Sequence, residues 1–129
     1  MRILVCGGRY YTDKDRVWRE LDKIVAYGEL WDDQRLLPHG ITIIHGGAAG
    51  ADALADHWAV HNYANIEEFP ADWEQYGKSA GPIRNKQMLD EGKPDLVLAF
   101  PGSTGTAHMV KIAREAGIEV IEIDQHSSR

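Results

Sequence analysis

Three glycine-rich segments of the sequence could bring backbone N–H groups close to a ligand. They are Cys6-Gly7-Gly8-Arg9, His45-Gly46-Gly47-Ala48-Ala49-Gly50 and Pro101-Gly102-Ser103-Thr104-Gly105-Thr106, and each follows a run of apolar residues. Glycine permits close approach to a ligand, and the N-terminus of a following helix favours negative charge. One such segment alone indicates only a tight turn. If all three meet in one crevice, they predict a site for a phosphate-containing ligand.

The third segment is the best candidate for a phosphate cradle. It adds the hydroxyl groups of Ser103, Thr104 and Thr106 to a glycine-rich helix start, and it contains no acidic residue. It lacks the lysine of a P-loop, which argues against a Walker-type nucleoside triphosphatase.

Two arginines are candidates for holding the anion. If Pro82 is the first residue of a helix, Arg84 lies in its first turn, where a cation opposes the helix dipole by ~0.3–1 kcal/mol. That placement is explained if an anion binds beside it; the alternative is an exposed or salt-bridged arginine. Arg9 directly follows Gly7-Gly8, and a guanidinium suits bidentate contact with phosphate.

For two other candidate residues, Asp52 and Trp73, the sequence is compatible with either a structural or a ligand-binding role. Asp52 could cap a helix or accept from ribose hydroxyls. Trp73 lies in a long connection, where it could stack on a base or cover the sheet edge. Asp52 and His108 are weak candidates for acid or base chemistry, as is His45, but no nucleophile–base arrangement identifies a catalytic residue.

The spacing of the histidines does not indicate a metal site. His57 and His61 are spaced to share one face of a helix, but the motif holds no third ligand. We therefore expect solvated histidines and no metal, and no obligatory cofactor beyond a nucleotide-derived ligand.

Apolar runs typical of buried strands alternate with segments of helical period. The predicted strands are Arg2–Cys6, Ile41–Ile44, Ile66–Phe69, Leu96–Phe100 and Ile118–Ile123. Predicted helices follow each of the first four strands; the third begins at Gly81-Pro82, and the fourth runs from about Thr106 to Ala116. This alternation predicts an α/β, Rossmann-like, three-layer domain with a five-stranded parallel sheet.

The charges of the strands predict their order in the sheet. Two of them, Ile66–Phe69 and Ile118–Ile123, each carry two glutamates, as edge strands tolerate. The first, second and fourth strands are uncharged after Arg2 and should be central. The order 3-2-1-4-5 satisfies both facts and places the three glycine-rich segments at the crevice where open α/β sheets bind ligands.

Composition fits one globular domain, which we place at residues 1–124, followed by a short C-terminal tail at 125–129. The chain has 129 residues, a formal charge of −6 and one cysteine, Cys6. A lone cysteine is typical of a reducing compartment, and no apolar run approaches the ~20 residues of a membrane span. We expect a cytoplasmic protein without membrane association. The net negative charge argues against nucleic acid as a partner.

Five blocks of the sequence together resemble the YspA-type (YpsA-related) branch of the SLOG superfamily. They are the three glycine-rich segments, the second extended to Ala55, together with Phe69-Pro70-Ala71-Asp72-Trp73 and Ala80-Gly81-Pro82-Ile83-Arg84-Asn85. The superfamily is Rossmann-like and includes Lonely Guy phosphoribohydrolases, DprA proteins and domains thought to sense nucleotide-derived signals. Genes of this kind are often met in bacteria and phages.

The resemblance implies a nucleotide, NAD or ADP-ribose-like ligand lying over these blocks. It implies ligand contacts at Gly7, Gly8, Arg9, Gly46, Gly47, Asp52, Arg84, Asn85, Gly102, Gly105 and Thr106. Homodimers are common among such relatives, so a homodimer is a further expectation.

The sequence departs from the phosphoribohydrolase pattern at a position that matters for catalysis. Lonely Guy enzymes carry a glutamate at the end of Pro-Gly-Gly-x-Gly-Thr-x-x-Glu, and Met109 stands there in this chain. A thioether cannot exchange a proton or stabilise an oxocarbenium ion. Binding or sensing without turnover is therefore favoured. The alternatives are an N-glycosidic hydrolase that releases a free base and a structural module that binds a partner through residues near Trp31 and Leu36.

Overall fold

The computed structural model describes residues 1–124, and these form a five-stranded parallel sheet between two layers of helices. The sheet order is β3-β2-β1-β4-β5. The strands are β1 Arg2–Cys6, β2 Thr42–His45, β3 Asn65–Glu68, β4 Leu96–Ala99 and β5 Glu119–Glu122. The predicted Rossmann-like class and the predicted order are confirmed. The predicted tail at 125–129 lies outside the described residues, and the domain boundary stays a prediction.

The helices are α1 Lys14–Leu30, α2 Ala51–Asn62, α3 Trp73–Tyr76, α4 Ala80–Gly92 and α5 Thr104–Glu115. Helices α1 and α2 cover one face of the sheet, where Trp58 and Leu21 are fully buried. Helices α4 and α5 cover the other face and bury Met88 and Met109 against the sheet. No helix within residues 1–124 is long and apolar enough to cross a membrane.

Burial explains why the order could be predicted from charge. Strand β4 is buried along its whole length, and β1 is buried after Arg2. The two edge strands, β3 and β5, are largely exposed and carry the glutamates. Parallel strands covered on both faces must be apolar, whereas an edge strand tolerates charge.

Two helix starts differ from the sequence-based expectation. Helix α4 begins at Ala80 rather than at Pro82, because a 3₁₀ turn at Gly77–Ser79 leads directly into it. Arg84 is consequently the fifth helical residue, so its predicted place in the first turn is wrong. Helix α5 begins at Thr104, two residues before the predicted start.

Candidate functional site

An open cleft lies where the loops that follow β1, β2 and β4 meet, at the carboxyl ends of these strands. Its volume is about 1750 Å³, which exceeds the roughly 300–1,000 Å³ of a usual small-molecule pocket. Every ligand-binding residue predicted from the sequence lines it: Gly7, Gly8, Arg9, Gly46, Gly47, Asp52, Trp73, Arg84, Asn85, Gly102, Ser103, Thr104, Gly105 and Thr106. The structure therefore brings the three glycine-rich loops together, and ligand binding by these residues stays a prediction.

The β1 loop is held between the other two glycine-rich loops. Gly8 N donates to Pro101 O at 2.9 Å, and Gly8 O accepts from Ala51 N at 3.3 Å. Gly50 has a φ of +75°, and the place of its missing Cβ is taken by Gly8 O. A side chain at Gly50 would both strain the backbone and separate the loops.

The start of α5 presents a row of backbone donors to the cleft. Ser103 is the N-cap residue, and its side chain does not cap the helix. Within residues 1–124, the N–H groups of Gly102 to Thr106 have no recorded acceptor. A helix N-terminus with unpaired donors carries partial positive charge and is a suitable site for an anion.

Asn85 connects α4 to this row of donors. Its side chain is buried; Nδ2 donates to Gly105 O at 3.1 Å, and Oδ1 accepts from Arg84 Nε at 3.2 Å. Nδ2 also lies 3.0 Å from His108 Nδ1. These three bonds show that Asn85 connects the neighbouring residues. The ligand contact that the resemblance implies for Asn85 stays a prediction.

Arg84 spans the cleft floor from α4 to the β2 loop. Its Nη1 donates to Gly46 O at 2.7 Å, and its guanidinium takes the space that a Cβ at Gly46 would need. For Nη2 no acceptor is recorded within the described part of the chain. The guanidinium is thus fixed by two bonds and keeps donor capacity for a ligand.

The Asp52 side chain accepts hydrogen bonds from the loop that follows β2, although Asp52 itself lies in the first turn of α2. One carboxylate oxygen, Oδ2, accepts from Gly46 N at 3.0 Å and from Ala48 N at 3.2 Å. Burial raises the pKa of Asp52, while the Ala48 N–H, His45, the Gly46 N–H and Arg84 act in the opposite direction. The side chain thus closes the β2 loop, a role that the sequence did not predict. Both bonds use Oδ2, and the predicted contact of Asp52 with a ribose stays a prediction.

His45 is a structural residue rather than a candidate acid or base. Gly47 N donates to its Nδ1 at 3.0 Å, so the ring proton lies on Nε2, which is 2.7 Å from Asp56 Oδ2. Both ring nitrogens are therefore used inside the protein.

The same bonds argue against a metal in the one grouping of suitable ligands found among residues 1–124. His45, Asp56 and Glu68 bring one ligand atom each within 4.8 Å of one another. A metal on Nε2 would require the ring proton to move to Nδ1, which faces the Gly47 N–H.

Trp73 and Arg9 both line the cleft and are exposed. Trp73 is 56% exposed, and the edge of its ring lies near Gly81 at the start of α4. Because it lines the cleft, it is placed where a base could stack on it, and that stacking stays a prediction. The exposed Arg9 guanidinium lies 5.9 Å from the ring centre of Tyr10.

Met109, which replaces the phosphoribohydrolase glutamate, is fully buried between α5 and the sheet. It is not among the residues that line the cleft. The position offers neither an acid nor contact with a cleft ligand.

Cys6 lies under the cleft, and its thiol should be inert. Burial and the nearby Asp52 carboxylate raise its pKa from an ordinary 9.0 to about 12. Because the thiolate is the reactive form, iodoacetamide at pH 8 should modify the folded protein roughly a thousandfold more slowly than the chain unfolded in urea. Mass spectrometry of timed samples measures both rates, and equal rates would contradict the burial of the thiol.

Comparison with known proteins gives a family match and a phage relative. The family model described as "YspA, cpYpsA-related SLOG family" matches residues 1–76. The Gene 61 protein of Mycobacterium phage D29 is 40% identical over 127 residues, which cover 93% of this chain and 94% of the phage protein.

A solved structure shows the same fold at low identity. The X-ray structure of DNA processing protein A (DprA) from Streptococcus pneumoniae matches with a TM-score of 0.69 and 16% identity. The match covers 98% of this chain, which spans about half (51%) of the DprA chain. At this identity the likeness concerns the fold alone.

Proposed function

Since the chain belongs to the YspA, cpYpsA-related SLOG family, we propose that it binds or senses a nucleotide-derived phosphorylated small molecule in the cleft. The ligand class includes nucleotides, NAD and ADP-ribose-like molecules. The phosphate lies against the N–H groups of Gly102 to Thr106, with Arg84 beside it. The base reaches toward Trp73.

The observation that carries this proposal is the row of five consecutive N–H groups without an acceptor at the start of α5. Backbone donors that stay unpaired in a concave site are satisfied by water or by a ligand. A phosphate offers several anionic acceptors to such a row, and the hydroxyl groups of Ser103 and Thr104 add donors nearby.

The cations of the cleft support an anionic ligand in a protein of net charge −6. Arg9, Lys78 and Arg84 all line the cleft. Asp13, Asp52 and Asp124 also line the cleft. The support therefore comes not from the charge of the whole cleft but from Arg84, which Asn85 connects to the start of α5. The same net charge argues against a polynucleotide, whose affinity needs many Lys and Arg contacts, although a structural relative is described as a DNA processing protein.

A thermal-shift panel tests the proposal. AMP, ADP, NAD, ADP-ribose and cyclic nucleotides are each added to the wild-type protein, because a ligand that binds only the folded state raises Tm. We expect at least one phosphorylated ligand to raise Tm and the matching nucleoside without phosphate to leave it unchanged. If no phosphorylated ligand shifts Tm, or if the nucleosides act equally well, the phosphate site is wrong.

The N-glycosidic hydrolase alternative draws support from one observation, the raised pKa of Asp52 at the cleft. Raised carboxyl pKa values are typical of general acids. However, Oδ2 of Asp52 is occupied by two loop N–H groups, and Met109 supplies no acid.

We therefore expect incubation with AMP, or with a ligand found in the panel, to release no free base above the uncatalysed rate. Chromatography of the mixture over several hours measures the release. Base production by the wild type that is lost in Asp52→Asn would establish the hydrolase instead.

A structural module that binds a partner near Trp31 and Leu36 would be expected to have a closed crevice and an exposed apolar patch. The crevice is open, yet Tyr27, Leu30 and Trp31 form an exposed group at the end of α1. This group lies at the C-terminal end of α1, outside the cleft, and leaves the binding proposal unaffected.

A further inference from the structure

Hydrogen bonds around Asn85 determine which ring nitrogen of His108 carries the proton. Arg84 Nε can only donate, so the Asn85 atom 3.2 Å away is the amide oxygen. Gly105 O can only accept, so the Asn85 atom 3.1 Å away is Nδ2. The second Nδ2 hydrogen is then donated to His108 Nδ1, at 3.0 Å. In a neutral ring the proton must lie on Nε2.

The Nε2–H group of His108 is available at the cleft. His108 is half-buried and lines the cleft, and within residues 1–124 no partner of Nε2 is recorded. It lies four residues after Thr104 on α5. Helical side chains lean toward the N-terminus, and residues four apart share a face. The ring is therefore on the same face of α5 as Thr104, one turn after the unpaired N–H groups.

We propose that His108 is a further binding residue of the phosphate site, whose Nε2–H donates to a phosphate oxygen of the ligand. Asn85 is the positioning residue that fixes this tautomer. The inference rests on the proposed function and deepens it, because it adds a side-chain donor to the backbone row. It also assigns a role to a histidine considered for acid or base chemistry: Nε2 already carries a proton, so it is not a general base.

The tautomer is tested on the ligand-free protein. Long-range ¹H–¹⁵N NMR distinguishes a protonated from an unprotonated ring nitrogen, and we expect protonation at Nε2 in the wild type at pH 8. In Asn85→Asp, which has nearly the same size, a carboxylate oxygen replaces the donor, so the proton should move to Nδ1 or both nitrogens should be protonated. A wild-type proton on Nδ1, or an unchanged tautomer in Asn85→Asp, would overturn the positioning role.

The contact with phosphate is tested by calorimetry with AMP and with inorganic phosphate. A hydrogen bond to a charged acceptor predicts binding weakened roughly ten- to a hundredfold in His108→Leu. His108→Gln is the matched control, because its amide nitrogen can donate from about the place of Nε2, and we expect a smaller loss. Equal Kd values in all three proteins overturn this inference alone. If the wild type binds neither probe, this inference is overturned, and the proposed function fails as well only if ADP, NAD, ADP-ribose and the cyclic nucleotides of the thermal-shift panel do not bind either.

Discussion

Replacing Arg84 with alanine is expected to weaken binding of the phosphorylated ligand by roughly ten- to a hundredfold, the worth of a charge-assisted hydrogen bond. The guanidinium is fixed by Gly46 O and by Asn85 Oδ1, at 2.7 and 3.2 Å, and keeps Nη2 for the ligand. Because it is held in place before binding, little side-chain entropy is lost when a phosphate arrives. Calorimetric titration with the best ligand of the thermal-shift panel measures the change in Kd.

Two further variants separate the contact from a general loss of positive charge. Lys86→Ala removes a cation from the same helix at a residue that is paired with Asp90 and does not line the cleft. Its Kd should stay within about twofold of the wild type, since an exposed charge there is screened by salt. Arg84→Lys keeps the charge but loses the planar guanidinium with its several N–H donors. Its Kd should lie between those of the wild type and Arg84→Ala. Equal losses in Arg84→Ala and Lys86→Ala would mean that only long-range charge matters.

Replacing Asp52 with alanine is expected to lower the free energy of unfolding by about 2–4 kcal/mol. The change leaves the N–H groups of Gly46 and Ala48 without their acceptor, and each unsatisfied buried donor costs ~1–3 kcal/mol. Urea denaturation followed by circular dichroism measures the difference.

Asp52→Asn is the matched control for this loss. Both bonds are made to the single atom Oδ2, so one amide oxygen can accept them, and the loss should be under about 1 kcal/mol. If the two variants are equally destabilised, the loop does not depend on these bonds.

The raised pKa of Asp52 also predicts how the stability difference between the wild type and Asp52→Asn depends on pH. Because the folded protein binds this proton more tightly than the unfolded chain, ionisation of Asp52 costs stability as pH rises above the ordinary value of 3.8. Asp52→Asn has no such proton. Its stability relative to the wild type should therefore improve as pH is raised from about 4 toward 7, and a constant difference would contradict the raised pKa.

The elements that position the site could be predicted because their signals are local or depend on average burial. Glutamates mark β3 and β5 as edge strands, and the apolar β1 and β4 could only be central. Once the order is fixed, loops after neighbouring parallel strands must meet at one end of the sheet. The convergence of the glycine-rich loops is thus a consequence of topology.

The connections within the site could not be predicted from the sequence, because they depend on distances between separate elements. Nothing local indicates that Asn85 bonds to Gly105 and His108, or that Asp52 accepts from the loop before its own helix. Pro82 misled the placement of Arg84, since proline suits the first turn of a helix generally and here stands third.

The most direct test of the central claim is an amide ¹H–¹⁵N NMR titration of the ¹⁵N-labelled protein with AMP. The account predicts that the largest shifts occur at the backbone amides of Gly102 to Thr106 and at the Arg84 side chain, and that adenosine does not reproduce them. AMP binding that shifts amides elsewhere and leaves this row unchanged would contradict it.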